Sequence, residues 1–400
     1  MPRTVRRYAA GRRTWPAPGR VVHSGSLGRS RYHRAVPGLR LVPPGGVLAA
    51  LQQALDGGEP FAPLPEPGPE RERLVAALRP DQPVTEDHAA VVVATSGSTG
   101  DPRGVVLSRP ALVTAANLAH NRLGGPGVWV CALPQHHVAG LMVLVRSLVA
   151  GRQPILVSPR LTGLATLQLS RPAYLSLVPA QLYRALRDPD TRAALGRFDA
   201  VLVGGAATSQ DEVEAARRAQ IRVVTTYGAS ETCGGVVYDG LPLDQVTVKV
   251  LETDQITITT PTLCSGYRLD PARTRSILAG KTFLTSDRGS WVDGRLVVRG
   301  RLDDVVISGG VNVDLAALQR LVDAEYGAEQ VVVAAIPDPR WGQRVVAVSV
   351  AEVNLPQLVR RLRPQVARAA EPTELRQVAE VPRTRSGKID RAQIVALWQE

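Results

Sequence analysis

A glycine loop rich in hydroxyl side chains is the first stretch of the sequence that could do chemistry. Residues 94–108 read ATSGSTGDPRGVVLS, and the core Ser96-Gly97-Ser98-Thr99-Gly100 follows a run of valines at 91–93. Glycines let backbone amides turn towards an anion, serine and threonine hydroxyls add donors, and Arg103 adds a fixed positive charge. No Gly-Lys-Ser/Thr follows at the Walker spacing, so we expect a phosphate-binding loop of another kind. A flexible surface linker is the alternative.

Two later segments end predicted strands in residues suited to a nucleotide. Residues 225–235 read TTYGASETCGG, in which Tyr227 offers a stacking face, Glu231 a hard carboxylate suited to Mg²⁺, and Thr232 a neighbouring hydroxyl. Residues 201–207 read VLVGGAA, whose small side chains would let a flat aromatic ring lie against the backbone. The alternatives are a solvated loop carboxylate at Glu231 and an ordinary strand-to-helix turn at 201–207.

Charged residues near the predicted domain boundary and the C-terminus suggest further contacts. The segments TSD at 285–287 and RGRLDD at 299–304 are predicted loops, where Asp287 could accept both hydroxyls of a ribose with help from Arg301. Surface ion pairing explains these charges equally well. Residues 382–391 read PRTRSGKIDR, and Lys388 is one of three lysines among 48 basic residues. A lysine in so arginine-rich a chain indicates a need for a compact ammonium group, with chance placement as the alternative.

Alternating strand and helix patterns predict how these residues are positioned. Apolar runs predict strands, and amphipathic segments between them predict helices, which is typical of a parallel sheet covered by helices. The predicted strands are 91–95, 128–133, 155–157, 174–178, 200–203 and 223–226, and the predicted helices are 110–122, 138–150, 179–187 and 209–220.

The periodicity changes twice in the second half of the chain. Residues 245–260 alternate with period two and 295–299 follow a glycine turn, so we expect a separate antiparallel sheet or barrel. From 304 onwards, strands at 305–308, 331–336 and 344–350 and helices at 315–326 and 355–369 predict a small α+β domain. We therefore predict an α/β protein with a large domain at 1–302, whose leading residues 1–88 are reduced and irregular, and a small domain at 303–400.

Composition limits the classes of partner. The chain has 400 residues, is 44% hydrophobic and carries a formal charge of +12, but its basic residues form no run interleaved with aromatics. The arginine bias is typical of a GC-rich genome, so we expect no nucleic-acid partner. Cys131, Cys233 and Cys264 match no metal or redox spacing, which favours a reducing, cytoplasmic location. The apolar stretch at 138–150 contains Arg146 and is too short to span a bilayer.

Taken in this order, the segments at 89–391 resemble the adenylate-forming superfamily of acyl-CoA synthetases and adenylation domains. Within it, LPQHHVAGL at 133–141 and SLVPAQLYRAL at 176–186 are most similar to the o-succinylbenzoate-CoA ligases of menaquinone biosynthesis. The resemblance implies a two-step reaction: ATP adenylates a carboxylic acid, releasing pyrophosphate, and coenzyme A then takes the acyl group, releasing AMP. It also implies a bound Mg²⁺ and a mobile small domain.

The resemblance assigns roles that agree with the residue chemistry. The phosphate loop, from Thr95 to Gly100, would hold the β- and γ-phosphates, and Glu231, beside Thr232, would bind Mg²⁺. Asp287 and Arg301 would hold the ribose, Asp303 would lie at the hinge, and Lys388 would reach the α-phosphate and the attacking carboxylate. The residues that would frame adenine are Gly205, Ala206, Ala207, Tyr227 and Gly228.

The acid substrate implied by the resemblance has two carboxylates, and only one of them is activated. The other needs a cation, and Arg184, on the helix opened by Pro179, is our candidate. A solvent-facing helix arginine is the alternative. His137, at the acyl or ATP entrance by resemblance, and Ser176 are further candidates for substrate binding, although His137 could equally be a packed histidine.

The sequence departs from the family pattern at two places, and two alternative functions stay open. Arg103 stands where the family usually has lysine, and the region ahead of Ala89 is shorter than in typical members. The alternatives are another aryl- or acyl-CoA ligase or a stand-alone adenylation enzyme, and a non-catalytic adenylate-binding protein. The presence of both Glu231 and Lys388 argues against the last. We expect small-molecule partners and a possible homo-oligomer.

Overall fold

A computed structural model describes residues 38–96, 102–383 and 389–399, except the side chains of Ser96 and Asp303. These residues belong to one compact unit. Sequence predictions for the Arg-rich N-terminus, for Gly97, Ser98, Thr99 and Gly100, and for Lys388 lie outside the described residues. None of the helices in the described ranges is long and apolar enough to cross a membrane.

The first part of the described chain forms a mixed sheet and two helices before the long helix α3. The strands of this first sheet pair in the order β1-β2-β3-β4-β14. The predicted strand at 91–95 is therefore not part of the parallel alternation, because β3 pairs antiparallel with β4. The elements are β1 (Arg40–Val42), α1 (Val47–Leu55), β2 (Phe61–Pro63), α2 (Pro69–Leu78), β3 (Ala89–Ser96), β4 (Pro102–Ser108) and α3 (Arg109–Leu123).

The leading region is more regular than its sequence predicts. The apolar pattern at 46–55 predicts one short helix in this region, and α1 confirms it. Helix α2 was missed because prolines surround it. Pro69 occupies the first helical turn, where its missing N–H costs nothing, and Glu70 and Glu72 complement the helix dipole. Arg268 closes the other end of α2, donating to the carbonyl oxygens of Leu78 and Arg79.

The middle of the chain forms a parallel sheet with helices on both faces, as predicted. Strands pair in the order β11-β10-β9-β8-β7-β5-β6, and those from β9 to β6 run parallel. Residues of α3 and α4 pack on one face, and residues of α5, α6 and α7 on the other. The elements are β5 (Val128–Cys131), α4 (Val138–Val149), β6 (Ile155–Leu156), β7 (Ala173–Leu177), α5 (Pro179–Arg187), α6 (Pro189–Leu195), β8 (Ala200–Gly204), α7 (Gln210–Arg218), β9 (Val223–Ala229), β10 (Gly234–Tyr238) and β11 (Leu241–Pro242).

An antiparallel sheet follows, which confirms the change to period two. Strands β12, β13, β16 and β15 pair in that order, and β17 pairs with β16. The prediction of a loop at 285–287 was wrong, because these residues lie inside the long strand β16. The elements are β12 (Thr247–Val250), β13 (Gln255–Thr259), β14 (Gly266–Tyr267), α8 (Pro271–Ile277), β15 (Leu278–Ala279), β16 (Thr282–Val292) and β17 (Arg295–Arg301).

The C-terminal sheet has its own core, formed by residues from Val306 onwards. Its strands pair in the order β19-β18-β21-β20, with β22 parallel to β21. The helix predicted at 355–369 ends at Leu362, because Pro364 cannot continue it. The elements are β18 (Val305–Ser308), β19 (Val311–Asp314), α9 (Leu315–Tyr326), β20 (Val331–Asp338), β21 (Gly342–Ser349), α10 (Leu355–Leu362), β22 (Glu374–Gln377) and α11 (Arg391–Ala396).

Candidate functional site

The carboxyl edge of the parallel sheet gathers most of the predicted site residues. Strands β5, β7, β8 and β9 run in the same direction, so their last residues reach the same edge. The segments that leave this edge carry His137, the start of α5, residues 205–207 and residues 227–231. Ligands of open α/β sheets bind outside the carboxyl ends of the strands. The fold therefore brings together residues that are far apart in sequence.

Close backbone packing explains the glycines of the predicted adenine segments. Gly205, just after β8, has a φ of +85°, in the left-handed region that a Cβ disfavours. A Cβ on Gly228 would lie 2.1 Å from the carbonyl oxygen of Gly234, because β9 and β10 approach closely there. Residues 205–207 are exposed and begin beside Thr226, the partner of Gly204 on β9. Together they leave an open strip of backbone next to Tyr227.

Tyr227, Asp287 and Arg301 form one hydrogen-bonded and charged group. The Tyr227 hydroxyl donates to Oδ2 of Asp287 at 2.7 Å, and Nη1 of Arg301 lies 3.9 Å from Oδ1. Asp287 and Arg301 are direct partners across β16 and β17, so they lie on strands and not on the loops that the sequence predicted. Burial raises the pKa of Tyr227 well above its usual value, and the charge of Asp287 raises it further. The phenol therefore stays protonated and holds the carboxylate in place.

Glu231 is held by a tyrosine from a different sheet. Its Oε1 accepts a hydrogen bond of 2.6 Å from the hydroxyl of Tyr267 on β14. Burial, and then the Glu231 charge, raises the pKa of Tyr267, which keeps this donor protonated. A half-buried carboxylate with one oxygen fixed in this way suits a hard cation such as Mg²⁺, bound through Oε2.

Thr232 shapes the turn that presents Glu231. Its hydroxyl oxygen accepts from the backbone N–H of Ala229 at 2.9 Å and lies 2.7 Å from the carbonyl oxygen of Gly234. The side chain is fully buried. Thr232 thus stabilises the backbone of this turn. Its proposed role is to position Glu231.

The predicted phosphate loop connects β3 and β4, which pair antiparallel. Thr95 on β3 pairs with Arg103 on β4, and the loop between them, residues 97–101, lies outside the described residues. Strand β14 pairs with β4 on the other side, placing Tyr267 opposite Val105, two residues from Arg103. Glu231 and the base of the loop are therefore linked through three neighbouring strands.

The candidates for the acid pocket have different environments. Ser176 on β7 is buried and, by strand alternation, shares the sheet face of Tyr174, which α3 and α4 cover. Its hydroxyl makes no hydrogen bond within the described part of the chain. His137 is half-buried and immediately precedes α4 on the same face. Arg184 lies on the exposed side of α5, whose buried residues are Gln181, Leu182, Ala185 and Leu186.

Two ion pairs involve residues that follow the predicted hinge. Asp303 lies in a 3₁₀ turn, Leu302–Asp304, and its side chain is outside the described set. Nη1 of Arg391 on α11 lies 2.5 Å from Oδ1 of Asp304. Nη1 of Arg288 on β16 lies 2.9 Å from Oδ2 of Asp314, the residue that caps α9. The domain boundary at 302 stays a prediction.

The sequence analysis did not identify three residues whose contacts the structure shows: Tyr267, Arg288 and His136. Tyr267 follows Glu231 by 36 positions, and no spacing rule connects them, because the contact arises from the pairing of β14 with β4. Arg288 was likewise missed, since only the packing of two sheets brings Asp314 within reach. His136 was visible in the His-His pair at 136–137 but was given no role.

Two family models match the chain. Residues 46–300 match the family described as AMP-binding enzyme, and residues 325–388 match the AMP-binding enzyme C-terminal domain. A curated relative from Mycobacterium tuberculosis, named a probable 2-succinylbenzoate-CoA ligase, is 42% identical over 369 residues. The matched region is 87% of this chain and 94% of the relative.

Solved structures share the fold at lower sequence identity. A variant of E. coli MenE with bound OSB-AMS is 24% identical, covers 92% of this chain and 90% of its own, and has a TM-score of 0.73. ATP-bound MatB from Rhodopseudomonas palustris is 21% identical, covers 91% and 89%, and has a TM-score of 0.75. These likenesses confirm the predicted fold class.

Proposed function

Because the chain belongs to the AMP-binding enzyme family, we propose that it is an ATP-dependent 2-succinylbenzoate-CoA ligase, the activity also called o-succinylbenzoate-CoA ligase. The observation that carries this proposal is the 42% sequence identity between this chain and the M. tuberculosis relative, which extends over nearly the full length of both chains. The site supports it, since separate strands present a ribose-binding carboxylate, a cation-binding carboxylate and an open strip of small residues.

The proposed reaction has two halves. In the first, a substrate carboxylate oxygen attacks the α-phosphorus of ATP, the bond to pyrophosphate breaks, and an acyl-adenylate forms. In the second, the sulfur of coenzyme A attacks the acyl carbon, the bond to AMP breaks, and the thiol proton is lost to solvent. Both halves depend on holding two reactants in line, so positioning supplies a large part of the rate.

The chain's own residues bind and orient the nucleotide. Asp287, held by Tyr227 and Arg301, accepts hydrogen bonds from the ribose hydroxyls. Adenine lies against the strip at 205–207, between its backbone and Tyr227. Glu231 would hold Mg²⁺, which would supply positive charge to neutralise the phosphates. Thr95 and Arg103 form the base of the loop that receives the β- and γ-phosphates.

The C-terminal residues and the acid pocket complete the proposal. Lys388, outside the described residues, draws the α-phosphate and the substrate carboxylate together, and rotation about Asp303 then withdraws it before the thiol enters. Ser176 contributes its buried hydroxyl to the acid pocket, His137 lies at the entrance, and Arg184 pairs with the second carboxylate. The three cysteines are buried and reduced, which supports a cytoplasmic location.

A pyrophosphate-release assay with a panel of acids tests the proposed substrate. The full-length protein, with ATP and Mg²⁺, should release pyrophosphate with 2-succinylbenzoate and not with benzoate, and added coenzyme A should yield the thioester. Equal turnover of simple aryl acids would contradict the diacid assignment. ATP binding without acid-dependent turnover across the panel would instead favour a non-catalytic adenylate-binding protein.

A lysine pair separates the two half-reactions. Lys388→Ala should nearly abolish adenylation and spare thioester formation from supplied acyl-adenylate, because the ammonium acts on the α-phosphate. Lys281→Ala, at an exposed position in the turn between β15 and β16, is the matched control and should change neither half. An equal loss in both halves would contradict the role proposed for Lys388.

A further inference from the structure

A glutamate and two histidines meet between the start of α2 and the start of α4. Glu70 comes from the first turn of α2, and His136 and His137 come from the segment between β5 and α4. One carboxylate oxygen and one nitrogen from each imidazole all lie within 4.8 Å of one another, and the two rings are 4.2 Å apart. All three residues are half-buried, and Nε2 of each histidine is shielded from water. Elsewhere in the described ranges, no group of three such side chains is this close.

The donor set suits a first-row transition metal. Two imidazoles and a carboxylate are the ligands of open Zn²⁺ sites, whereas Mg²⁺ prefers an all-oxygen shell. Ligand atoms about 2.1 Å from a tetrahedral ion are about 3.4 Å from each other. Closing the group from its present spacing therefore needs shifts of about 1 Å, which small χ rotations of three side chains supply. The Glu70 carboxylate offsets part of the cation's charge.

The backbone on both sides of the group is well fixed. Glu70 lies in the first turn of α2, so its backbone is held by the helix. The His137 N–H donates to the carbonyl oxygen of Pro134 at 3.3 Å, and its own carbonyl oxygen accepts from Leu141 at 2.9 Å. A Cβ on Gly140 would lie 2.2 Å from the same Pro134 oxygen, so this turn is tightly closed. Only the side chains need to move.

We propose that Glu70, His136 and His137 form a Zn²⁺ site with a fourth position open to water. The site joins α2 to the segment that begins α4, and it does not include Glu231. Bound Zn²⁺ fixes the His137 ring against α2 and so inhibits turnover. This last consequence rests on the proposed function, in which His137 lies at the substrate entrance; the binding itself does not.

Direct metal titration tests the site. The full-length protein, treated with EDTA and desalted, is titrated with Zn²⁺ in competition with a chromophoric chelator. We expect one Zn²⁺ per chain, and a Co²⁺-loaded sample should show the intense visible bands of a four-coordinate ion. Glu70→Gln and His136→Asn should each weaken Zn²⁺ binding about 100-fold, since even outer partners of a ligand cost 10–100-fold in affinity.

Matched variants control for surface binding. Glu72→Gln on the same helix and His88→Asn, both exposed, should leave the Zn²⁺ affinity unchanged. Equal affinity in the site variants and the controls, or the absence of one-to-one binding, would overturn the proposal. If a site variant fails to fold, Zn²⁺ should still raise the melting temperature of the unsubstituted protein, and no rise would equally overturn it.

The activity assay distinguishes the two proposals. Zn²⁺ should inhibit pyrophosphate release by the unsubstituted protein, chelator should restore it, and His136→Asn should be resistant. Zn²⁺ binding in a protein without ligase activity would leave this site intact and remove only the proposed function. Ligase activity without Zn²⁺ binding would remove only this site.

Discussion

Asp287 depends on two side chains that are distant in sequence. Tyr227, 60 positions earlier, donates to one carboxylate oxygen, and Arg301, across the β16–β17 pair, lies near the other. A carboxylate that must accept two ribose hydroxyls needs a fixed orientation, because both hydrogen bonds depend on the plane of the group. In the proposed function, Tyr227 therefore has two roles: its ring lies beside adenine, and its hydroxyl orients the carboxylate that binds the ribose.

Removing only this hydroxyl gives a sharp prediction. Tyr227→Phe keeps the ring and leaves the Asp287 carboxylate without its donor, so the KM for ATP should rise about tenfold, as expected for a hydrogen bond to a charged group. The KM for the acid should change little. Steady-state pyrophosphate release with each substrate varied measures both values.

Tyr238→Phe is the matched control for this prediction. The Tyr238 hydroxyl is buried and makes no hydrogen bond within the described ranges, so its loss should leave the KM for ATP unchanged and cost no stability. An unchanged KM for ATP in Tyr227→Phe would show that Asp287 is held without the tyrosine.

At the scale of elements, the β9–β10 hairpin controls the geometry of the site. Its strands carry Tyr227 and lead into the turn with Glu231. Gly228 pairs with Gly235 across the hairpin and lies close to the carbonyl oxygen of Gly234. Cys233 in the connecting turn has a φ of +54°, an uncommon conformation for a residue with a side chain. Because Gly228 has no Cβ, the two strands can approach closely. This close approach keeps Tyr227 and Glu231, the two proposed site residues, in place.

A single methyl group tests this dependence. Gly228→Ala places a Cβ 2.1 Å from the Gly234 carbonyl oxygen, so the strands must separate, at a cost of about 3 kcal/mol. Thermal unfolding should show a lower melting temperature, and ATP binding measured by calorimetry should weaken. Gly45→Ala has nothing within 4 Å of the new Cβ and should behave like the unsubstituted protein. Equal melting temperatures for the two variants would contradict the close approach.

Element prediction succeeded where a local pattern was sufficient. The helices at 109–123 and 138–149 and the strands at 173–177 and 200–204 have strong apolar periodicity, and the structure confirms them. Residues 282–292 were predicted partly as loop, because Thr285, Ser286 and Asp287 look like turn residues. They form strand because β13 and β17 supply hydrogen-bond partners on both sides.

At the scale of the whole molecule, the largest hydrophobic core contains two buried polar side chains, His120 and Arg146, next to Trp129. His120 on α3 is 3% exposed and accepts a hydrogen bond of 3.2 Å from the indole N–H of Trp129. Arg146 on α4, 5% exposed, lies 4.9 Å from the Trp129 ring. Burial, and to a smaller extent the charge of Arg146, lowers the pKa of His120 to about 4. The histidine is therefore neutral in the folded protein.

This burial makes stability depend on pH. An unfolded histidine titrates near pH 6.5, so between about pH 6.5 and pH 4 the unfolded state binds a proton that the folded state does not. The contribution of His120 is present above this window and is lost as the pH falls through it, by roughly 3 kcal/mol at most. Urea unfolding at several pH values should show it as a flatter profile for His120→Gln, which keeps an acceptor for Trp129.

An exposed histidine provides the comparison. His88→Gln makes the same substitution at an exposed position and controls for the change of side chain itself. If the stability difference between His120→Gln and the unsubstituted protein stays constant from pH 7.5 to 4.5, His120 does not titrate as described.

The sequence by itself determined the alternation of strands and helices, the family, and the residue types that carry the chemistry. These features depend on local spacing, on the periodicity of apolar residues and on short motifs such as those at 94–108 and 225–235. The sequence alone predicts them because each depends on residues that are neighbours along the chain.

Only the tertiary structure decided which side chains that are distant in sequence lie in contact. The pairs Tyr227 with Asp287, Tyr267 with Glu231, Arg288 with Asp314, and Glu70 with His136 and His137 join residues 26 to 67 positions apart. Each contact follows from the pairing of strands and the packing of sheets and helices. Because such packing is a property of the whole chain, no local pattern in the sequence could predict it.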